Sequence, residues 1–544
     1  MKLPRFRQGA LGAALLMSGV GAWAQAIDTE QAPGRLAPAP QRATPPLVID
    51  TPPAQAALQT PPDATRVTLK GVQIEGASTV APQALVAELG EVAGRSFDLA
   101  SLRALAATVQ QRLRNAGLPF ARAFLPAQDL ADGVLRIQVV EGRYGQVTAT
   151  GDEAGALAPW LAPLQPGDAI RMEPLERTLM LLSQLPGVQA SSVLRPGALP
   201  GTGDLEVQAT VQRGMQAELG IDNHGSYHAG RERVRGAMAF NSPFMLGDRL
   251  HLQAAATDQG TWLGSVAYTA PIGAAGWRAG VTVGRSQYQL GQNFAALDAR
   301  GTADTVALAL SYPLAQTQDM NVTAGASWQH KRLRDQQGAF ALDERKRSDA
   351  LALTLNADRR DDHGVTWGVL TLTPGRLRLD DSLLALDSAT AQTQGSFTRL
   401  NLDAARIQQL SGGWSVQGRV SGQWANGNLD SSEKFVLGGV NGVRAWPNGE
   451  AVGDEGWLVQ LELRWRNGGF EPYAFVDSGR VRINHRPWAA GQNQRGLDGA
   501  GLGMRMNYSG WTGDLSVAWR GGGVPVTDPS AGQPQVWFSL AYRF

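Results

Sequence analysis

Val536-Trp537-Phe538-Ser539-Leu540-Ala541-Tyr542-Arg543-Phe544 ends the sequence. Val536, Phe538, Leu540, Tyr542 and Phe544 alternate with Trp537, Ser539, Ala541 and Arg543, so an extended strand has one apolar face and one mixed face. Alternation that ends on a carboxy-terminal aromatic is what the last strand of an outer-membrane β-barrel needs, with one face to lipid and one to a polar lumen.

The same period runs back to Met215. Met215, Ala217, Leu219 and Ile221 alternate with Gln216, Glu218, Gly220 and Asp222, and Trp457, Val459, Leu461, Leu463 and Trp465 alternate with polar residues. Counting such segments over 215–544 predicts a membrane β-barrel of about sixteen antiparallel strands, each about ten residues long. The signal is weakest at 365–373 and 397–407. Gln460, Glu462 and Arg464 share one face, as do Arg505 and Asn507, so the lumen is expected to be polar and to carry both signs of charge. The 65 glycines and 15 tryptophans suit tight strand packing and interfacial aromatics.

The amino terminus supplies the route to the membrane. Lys2, Arg5 and Arg7 precede an apolar run, and Ala22-Trp23-Ala24 places small residues at the cleavage positions, so 1–24 read as a secretory signal peptide. No later stretch reaches the roughly 18 apolar residues of a membrane-spanning helix. A secreted chain that spans a bilayer without one must close its sheet, because an open edge leaves backbone groups unpaired in lipid. Residues 25–65 are rich in Ala, Pro and Gln, which predicts an extended, mobile linker with room for no more than a short plug segment.

Between linker and barrel lie two α/β units, 66–142 and 143–214, each read as β-α-α-β-β. In the first, Ser78 or Thr79 is expected to cap one helix and Asp98 a second, whose Leu99, Leu102, Leu105, Val109 and Leu113 recur at three- and four-residue spacing. In the second, Leu175, Leu179 and Leu182 mark the longer helix.

A net charge of +1 with 18% charged residues gives no sign of a nucleic-acid partner. The absence of cysteine removes disulfides and thiolate metal sites. His224 and His228 have no acidic cluster at ligand spacing, so they read as a turn after the first barrel strand, and neither a metal nor another cofactor is expected. Walker A, His-Glu-x-x-His and Gly-x-Ser-x-Gly sequences are missing, which argues against an enzyme. Residues 527–529 read as an external loop.

The run Leu118-Pro119-Phe120-Ala121-Arg122-Ala123-Phe124-Leu125-Pro126-Ala127-Gln128-Asp129, followed by Gly133-Val134-Leu135 and Val140-Glu141-Gly142, resembles the first of the paired POTRA domains in two-partner secretion transporters of the FhaC and ShlB type. These belong to the outer-membrane barrel-assembly superfamily. Gly442-Val443-Arg444-Ala445-Trp446 resembles that superfamily's VRGY/F motif, carried on a loop of about 430–456 that follows the eleventh strand and folds back into the lumen. Ala445 and Trp446 depart from the family's Gly and Tyr or Phe. Alanine lacks glycine's backbone freedom, so the role of Arg444 is expected to carry over better than the loop conformation. Phe475-Val476-Asp477-Ser478-Gly479 resembles the inner-wall motif, represented by Phe475, Asp477 and Gly479. Alternation turns Tyr473, Phe475 and Asp477 inward, so a salt bridge between Arg444 and Asp477 is expected to hold the loop inside the barrel.

The resemblance implies a translocator in the outer membrane of a Gram-negative bacterium with its POTRA domains in the periplasm. They capture a large secreted exoprotein, an adhesin, a haemolysin or a contact-dependent toxin, and a free sheet edge can accept a strand from it. The exoprotein threads the barrel and folds outside. Other implied partners are outer-membrane lipid and the barrel-assembly machinery, for which Phe544 is the recognition signal. Two alternatives share parts of this pattern: an insertase of the same superfamily, and a passive porin.

Overall fold

The computed structural model describes residues 47–49, 66–151, 153–522, 526, 528 and 531–544. The signal peptide expected at 1–24 and the plug segment lie outside the described residues, as do Thr527 and Pro529 of the loop expected at 527–529. So does all of the linker except β1 (Leu47–Ile49).

The first α/β unit contains β2 (Val67–Thr68), β3 (Gly71–Glu75), α1 (Pro82–Glu88), β4 (Ser96–Phe97), α2 (Leu99–Asn115), β5 (Arg122–Phe124) and β6 (Val134–Val140). Its main sheet runs β3-β6-β5, with β3 parallel and β5 antiparallel to β6. Asp98 caps α2 by accepting the Ser101 N–H at 2.8 Å, and Gly117 ends that helix region with φ +88°. Leu102, Ala106, Val109 and Leu113 of α2 are buried against Leu135, Ile137 and Val139 of β6. Each large side chain buried there contributes about 1.5–3 kcal/mol.

Ser78 and Thr79 differ from the reading as helix caps. Pro82 opens α1 after Ala81, with no side-chain cap, and the two residues bind Glu141 instead. Their backbone N–H groups donate to Oε1 at 2.7 and 2.6 Å, and their hydroxyls donate to Oε2 at 2.6 and 3.0 Å. Burial works to raise the Glu141 pKa, but these four hydrogen bonds outweigh it and hold the carboxyl below its usual range. The contribution to stability is full above the unfolded carboxyl value, about 4.3, and is lost as pH falls through the lower folded value. Glu141→Ala is expected to destabilise this unit by about 2 kcal/mol at neutral pH, with the difference vanishing in acid. The helical circular-dichroism signal of the full-length protein in a urea titration checks this.

The second unit contains β7 (Arg143–Thr150), α3 (Ala154–Leu161), α4 (Met172–Ser183), β8 (Val188–Pro196) and β9 (Thr202–Val211). It repeats the topology, β7 parallel and β8 antiparallel to β9, over a core of Leu157, Leu175, Leu179, Leu182 and Leu205. Here, however, the outer edge is covered, because β1 pairs in parallel with β8, Leu47 opposite Ser192 and Ile49 opposite Leu194. That strand lies within the stretch the sequence assigns to a mobile linker. Leu47-Val48-Ile49 is a short run of strand formers between Pro45-Pro46 and Pro52-Pro53, and prolines outside a three-residue strand do not break its ladder.

The barrel follows: β10 (Met215–Asp222), β11 (Arg233–Asn241), β12 (Arg249–Thr257), β13 (Trp262–Ile272), β14 (Trp277–Gln289), β15 (Ala299–Gln316), β16 (Met320–Gln337), β17 (Leu342–Asp361), β18 (Gly364–Leu379), β19 (Gly395–Gln409) and β20 (Trp414–Ala425). After a ribbon of β21 (Phe435–Val436) and β22 (Val452–Gly453) come β23 (Glu455–Trp465), β24 (Phe470–Arg482), β25 (Gln494–Tyr508), β26 (Trp511–Gly521) and β27 (Gln535–Arg543). Without the ribbon these are sixteen antiparallel strands, closed by β27 on β10. Both weak segments are strands, β18 and β19. The even length of about ten residues does not hold, because β16 has 18 residues and β17 has 20. Helix α5 (Asp381–Ala389), capped by Asp380, joins β18 to β19.

Eight of the nine exposed tryptophans among the described residues form two girdles. Trp277, Trp414, Trp465 and Trp511 lie at the end that carries the α/β units, and Trp262, Trp424, Trp457 and Trp519 at the other. Trp414 and Trp424 are ten residues apart on β20. At a rise of about 3.3 Å per residue and a tilt near 40°, that spans about 25 Å, the height of an apolar band. The second unit is fixed to the barrel mouth. Arg177 of α4 donates to the Tyr312 hydroxyl at 3.0 Å and the Pro313 carbonyl at 3.2 Å, and Ser242 donates to the Pro186 carbonyl at 2.7 Å.

Candidate functional site

Residues 426–454, which connect β20 to β23, fold into the lumen. Glycine permits the fold at two points. Gly439 has φ +118°, and a Cβ on Gly442 would lie 1.8 Å from the Leu437 carbonyl. The turn is held by Val443 N–H to Leu437 O at 2.8 Å and Gly438 N–H to Glu450 O at 2.8 Å. It places Val443, Ala445 and Trp446 in full burial and leaves Arg444 only 5% exposed.

Arg444 meets the inner wall at Asp477, which is 1% exposed. Its Nε donates to Oδ2 at 2.8 Å and its Nη2 to Oδ1 at 2.7 Å, a two-pronged pair, and its backbone N–H adds a third bond to Oδ2 at 3.0 Å. The guanidinium carbon lies 3.6 Å from the centre of the Phe475 ring, so the face of the aromatic motif residue carries the cation. Tyr473, Phe475 and Asp477 point inward as β24 alternation requires, while Val476 faces out at 57% exposure. Gly479 also has a structural reason, since a Cβ there would meet Leu437 Cδ1 at 2.4 Å.

Sequence reasoning missed a second carboxylate. Arg444 Nη1 also bonds Glu462 of β23. Glu462 Oε2 accepts from Arg464 Nε at 2.7 Å and Arg505 Nη1 at 3.1 Å, and Arg505 Nε continues to Asp514 at 3.0 Å. Four strands thus join one charge network beneath the loop. The signs of it in the sequence were the shared polar faces of Gln460, Glu462 and Arg464 and of Arg505 and Asn507. Gln460 Nε2 donates to the Gly442 carbonyl at 2.9 Å, which fixes the entry to the motif.

The two departures from the family motif find their partners on β25 and β26. The Ala445 Cβ lies where a side chain on Gly499 would sit, 2.3 Å from that position, so the wall is cut back to admit it. Ala445 is absent from the residues of positive φ, so glycine's backbone freedom is not needed at this position. Trp446 donates Nε1 to the Asp498 carbonyl at 2.9 Å and stacks under Arg520, whose Nε bonds the Ala445 carbonyl at 3.1 Å.

The base of the loop is pinned further round the wall, on β16, β17 and β19. Glu433 accepts from Lys331 of β16 at 3.2 Å and from Arg399 of β19 at 3.0 Å, and Asp430 accepts from Lys346 of β17 at 3.0 Å. The loop is therefore held by buried ion pairs both near its start and at its middle.

The remaining site residues lie apart from this centre. Phe544 is exposed and packs edge-on to Tyr542 at 4.9 Å, and its N–H donates to the Ala217 carbonyl at 2.9 Å. His224 and His228 follow β10 in a turn, with the His228 ring against Tyr227 and Phe294 at 4.9 and 4.6 Å. Among the described residues no group of three metal-ligating side chains comes together, and no helix is long and apolar enough to cross a membrane.

Comparison with known proteins bears on the family and the fold. Residues 67–142 match the POTRA domain of ShlB type, and residues 201–506, more than half of the chain, match the family described as haemolysin secretion/activation protein ShlB/FhaC/HecB. The chain is similar to the heme/hemopexin transporter protein HuxB of Haemophilus influenzae, with 25% identity over 83% of this chain and 82% of that one. It is also similar to the outer membrane transporter CdiB of Dickeya dadantii, with 23% identity over 76% and 75%. In fold it matches CdiB from Escherichia coli, with a TM-score of 0.73 and 20% identity over 91% of this chain and 93% of that one. The barrel lies in the bacterial outer membrane, with its POTRA domains in the periplasm. The chain belongs to the haemolysin secretion/activation family ShlB/FhaC/HecB, the outer-membrane transporters of two-partner secretion that export large exoproteins.

Proposed function

We propose that the loop of residues 426–454 is the resting closure of this transporter and that the exported protein displaces it. The observation that carries this reading is the attachment to two separate stretches of the wall, Arg444 on Asp477 and Glu462 of β24 and β23, and Glu433 on Lys331 and Arg399 of β16 and β19. Beside the apolar packing of Leu437, Val443 and Trp446, these buried ion pairs hold geometry without a large net stabilisation and can be exchanged for other polar partners.

Capture occurs on the first unit. The outer edge of β5 carries no strand among the described residues, and Phe124 on that strand is 47% exposed, while the matching edge of the second unit is taken by β1. An extended segment of an adhesin, haemolysin or contact-dependent toxin adds to β5 by main-chain pairing, which asks for little sequence identity. The chain itself performs no chemistry, binds no cofactor, and takes its directionality from folding of the exported protein outside. The divisions at 24, 65, 142 and 214 belong to this proposal, as do the lipid contacts of the tryptophan girdles and recognition of Phe544 by the barrel-assembly machinery.

Deleting residues 66–142 is the test. Loss of one large secreted protein, with channel conductance and other outer-membrane proteins unchanged, is expected. Undiminished secretion would overturn capture by this unit, and a general loss of outer-membrane proteins would favour an insertase.

A further inference from the structure

The barrel closes at its shortest strand pairing. β10 and β27 are matched over five residues, Glu218–Arg543 to Asp222–Ser539, against eight for β10 with β11 and eight for β26 with β27. Beyond Asp222 a side chain extends the ladder. Asn223 donates Nδ2 to the Val536 carbonyl at 3.0 Å and accepts the Phe538 N–H on Oδ1 at 2.8 Å.

The seated loop reaches this end of the seam from the lumen. Trp537 of β27 points inward, is 3% exposed, and donates its Nε1 to the Arg444 carbonyl at 2.7 Å. Four residues on, Asn448 donates its Nδ2 to the carbonyls of His224 and Gly225, the latter at 3.2 Å, just after β10. The His224 and Trp537 rings meet edge to face at 5.9 Å. One turn of loop is thus bonded to β27 and to the turn that leaves β10, by polar atoms that pair with nothing on the Asp477 wall.

We propose that the seated loop staples the β10–β27 seam on its lumen side, with Trp537 and Asn448 as positioning residues, so that lifting the loop loosens the outer end of the seam. The inference rests on the loop being displaceable, the reading given above. A five-residue pairing has few hydrogen bonds to share the strain of an opening, and local openings concentrate where the ladder is shortest. The inner end keeps its own support, Arg543 to Glu218 at 2.8 Å and Phe544 N–H to Ala217 O at 2.9 Å, so the barrel stays closed in lipid while its outer end yields.

Hydrogen exchange of the full-length protein in lipid nanodiscs tests this without an exported protein, so its outcome is independent of secretion. Trp537→Phe keeps the ring and removes the donor, Asn448→Ala removes the other contact, and Arg444→Ala frees the loop. Each is expected to speed exchange in 218–223 and 536–540 by about fivefold or more, the scale of one lost hydrogen bond. Segments 262–272 and 277–289, which form the β13–β14 pairing away from the loop, should stay as in the wild type. Unchanged seam exchange in Arg444→Ala, or an equal rise over all strands, would overturn the staple. A rise in Arg444→Ala with none in Trp537→Phe and Asn448→Ala would overturn the roles assigned to those two residues.

Discussion

Arg444→Ala is expected to reduce the exported protein in the medium by tenfold or more and to raise the resting current of the barrel in planar bilayers, while the barrel itself still assembles. The reason lies in which carboxylate is abandoned. Glu462 keeps Arg464 and Arg505, so it stays neutralised. Asp477 loses both side-chain bonds and keeps only the backbone N–H of residue 444 and a 3.4 Å contact from Gln460. Removing one member of a buried pair costs about 3–5 kcal/mol, enough to shift a seated loop to a mostly released one. Arg444→Lys keeps the charge but cannot serve two oxygens of Asp477 and one of Glu462 at once, so an intermediate loss is expected. Glu462 also changes what charge exchange does. Arg444→Asp with Asp477→Arg restores the pair but sets a new carboxylate against Glu462. Rescue is therefore expected only when Glu462→Gln is added.

Glu433→Ala is expected to produce the second largest effect, and through the start of the loop. Glu433 is the one carboxylate in salt-bridge contact with Lys331 and Arg399 among the described residues, and all three side chains are largely buried. Leaving two cations without it costs about 3–5 kcal/mol. Resting current should rise and secretion should fall several-fold even though Arg444 and Asp477 are intact. Glu433→Gln retains hydrogen-bond acceptance and should do less harm. Bilayer recordings and secretion assays on the two variants check the order.

How much of this was legible follows from the range of each signal. Alternation is local, so the strands, the inward face of Tyr473, Phe475 and Asp477, and the loop after β20 could all be read from neighbouring residues. Partner choice across strands is not local. Gln460 lies opposite Asp477 and Glu462 opposite Phe475, and only this register lets Arg444 reach Glu462 diagonally. The contacts of Glu433 with Lys331 and of Trp537 with Arg444 join residues about one hundred positions apart, and no periodicity marks them. The β1 strand was hidden for the opposite reason, since three residues between prolines are too short to carry a pattern. Ser78 and Thr79 looked like caps because the acceptor that competes for them, Glu141, is 63 and 62 residues away.

The most direct test of loop displacement uses a chain that has no cysteine of its own. Val443 is fully buried in the seated loop, so a Val443→Cys thiol is shielded while the loop is in place. Whole cells are treated with a membrane-impermeant maleimide, with and without an exported protein stalled in the barrel. The account predicts little labelling at rest and strong labelling with the stalled protein. Equal protection in both states would show that export leaves the loop seated, and would contradict it.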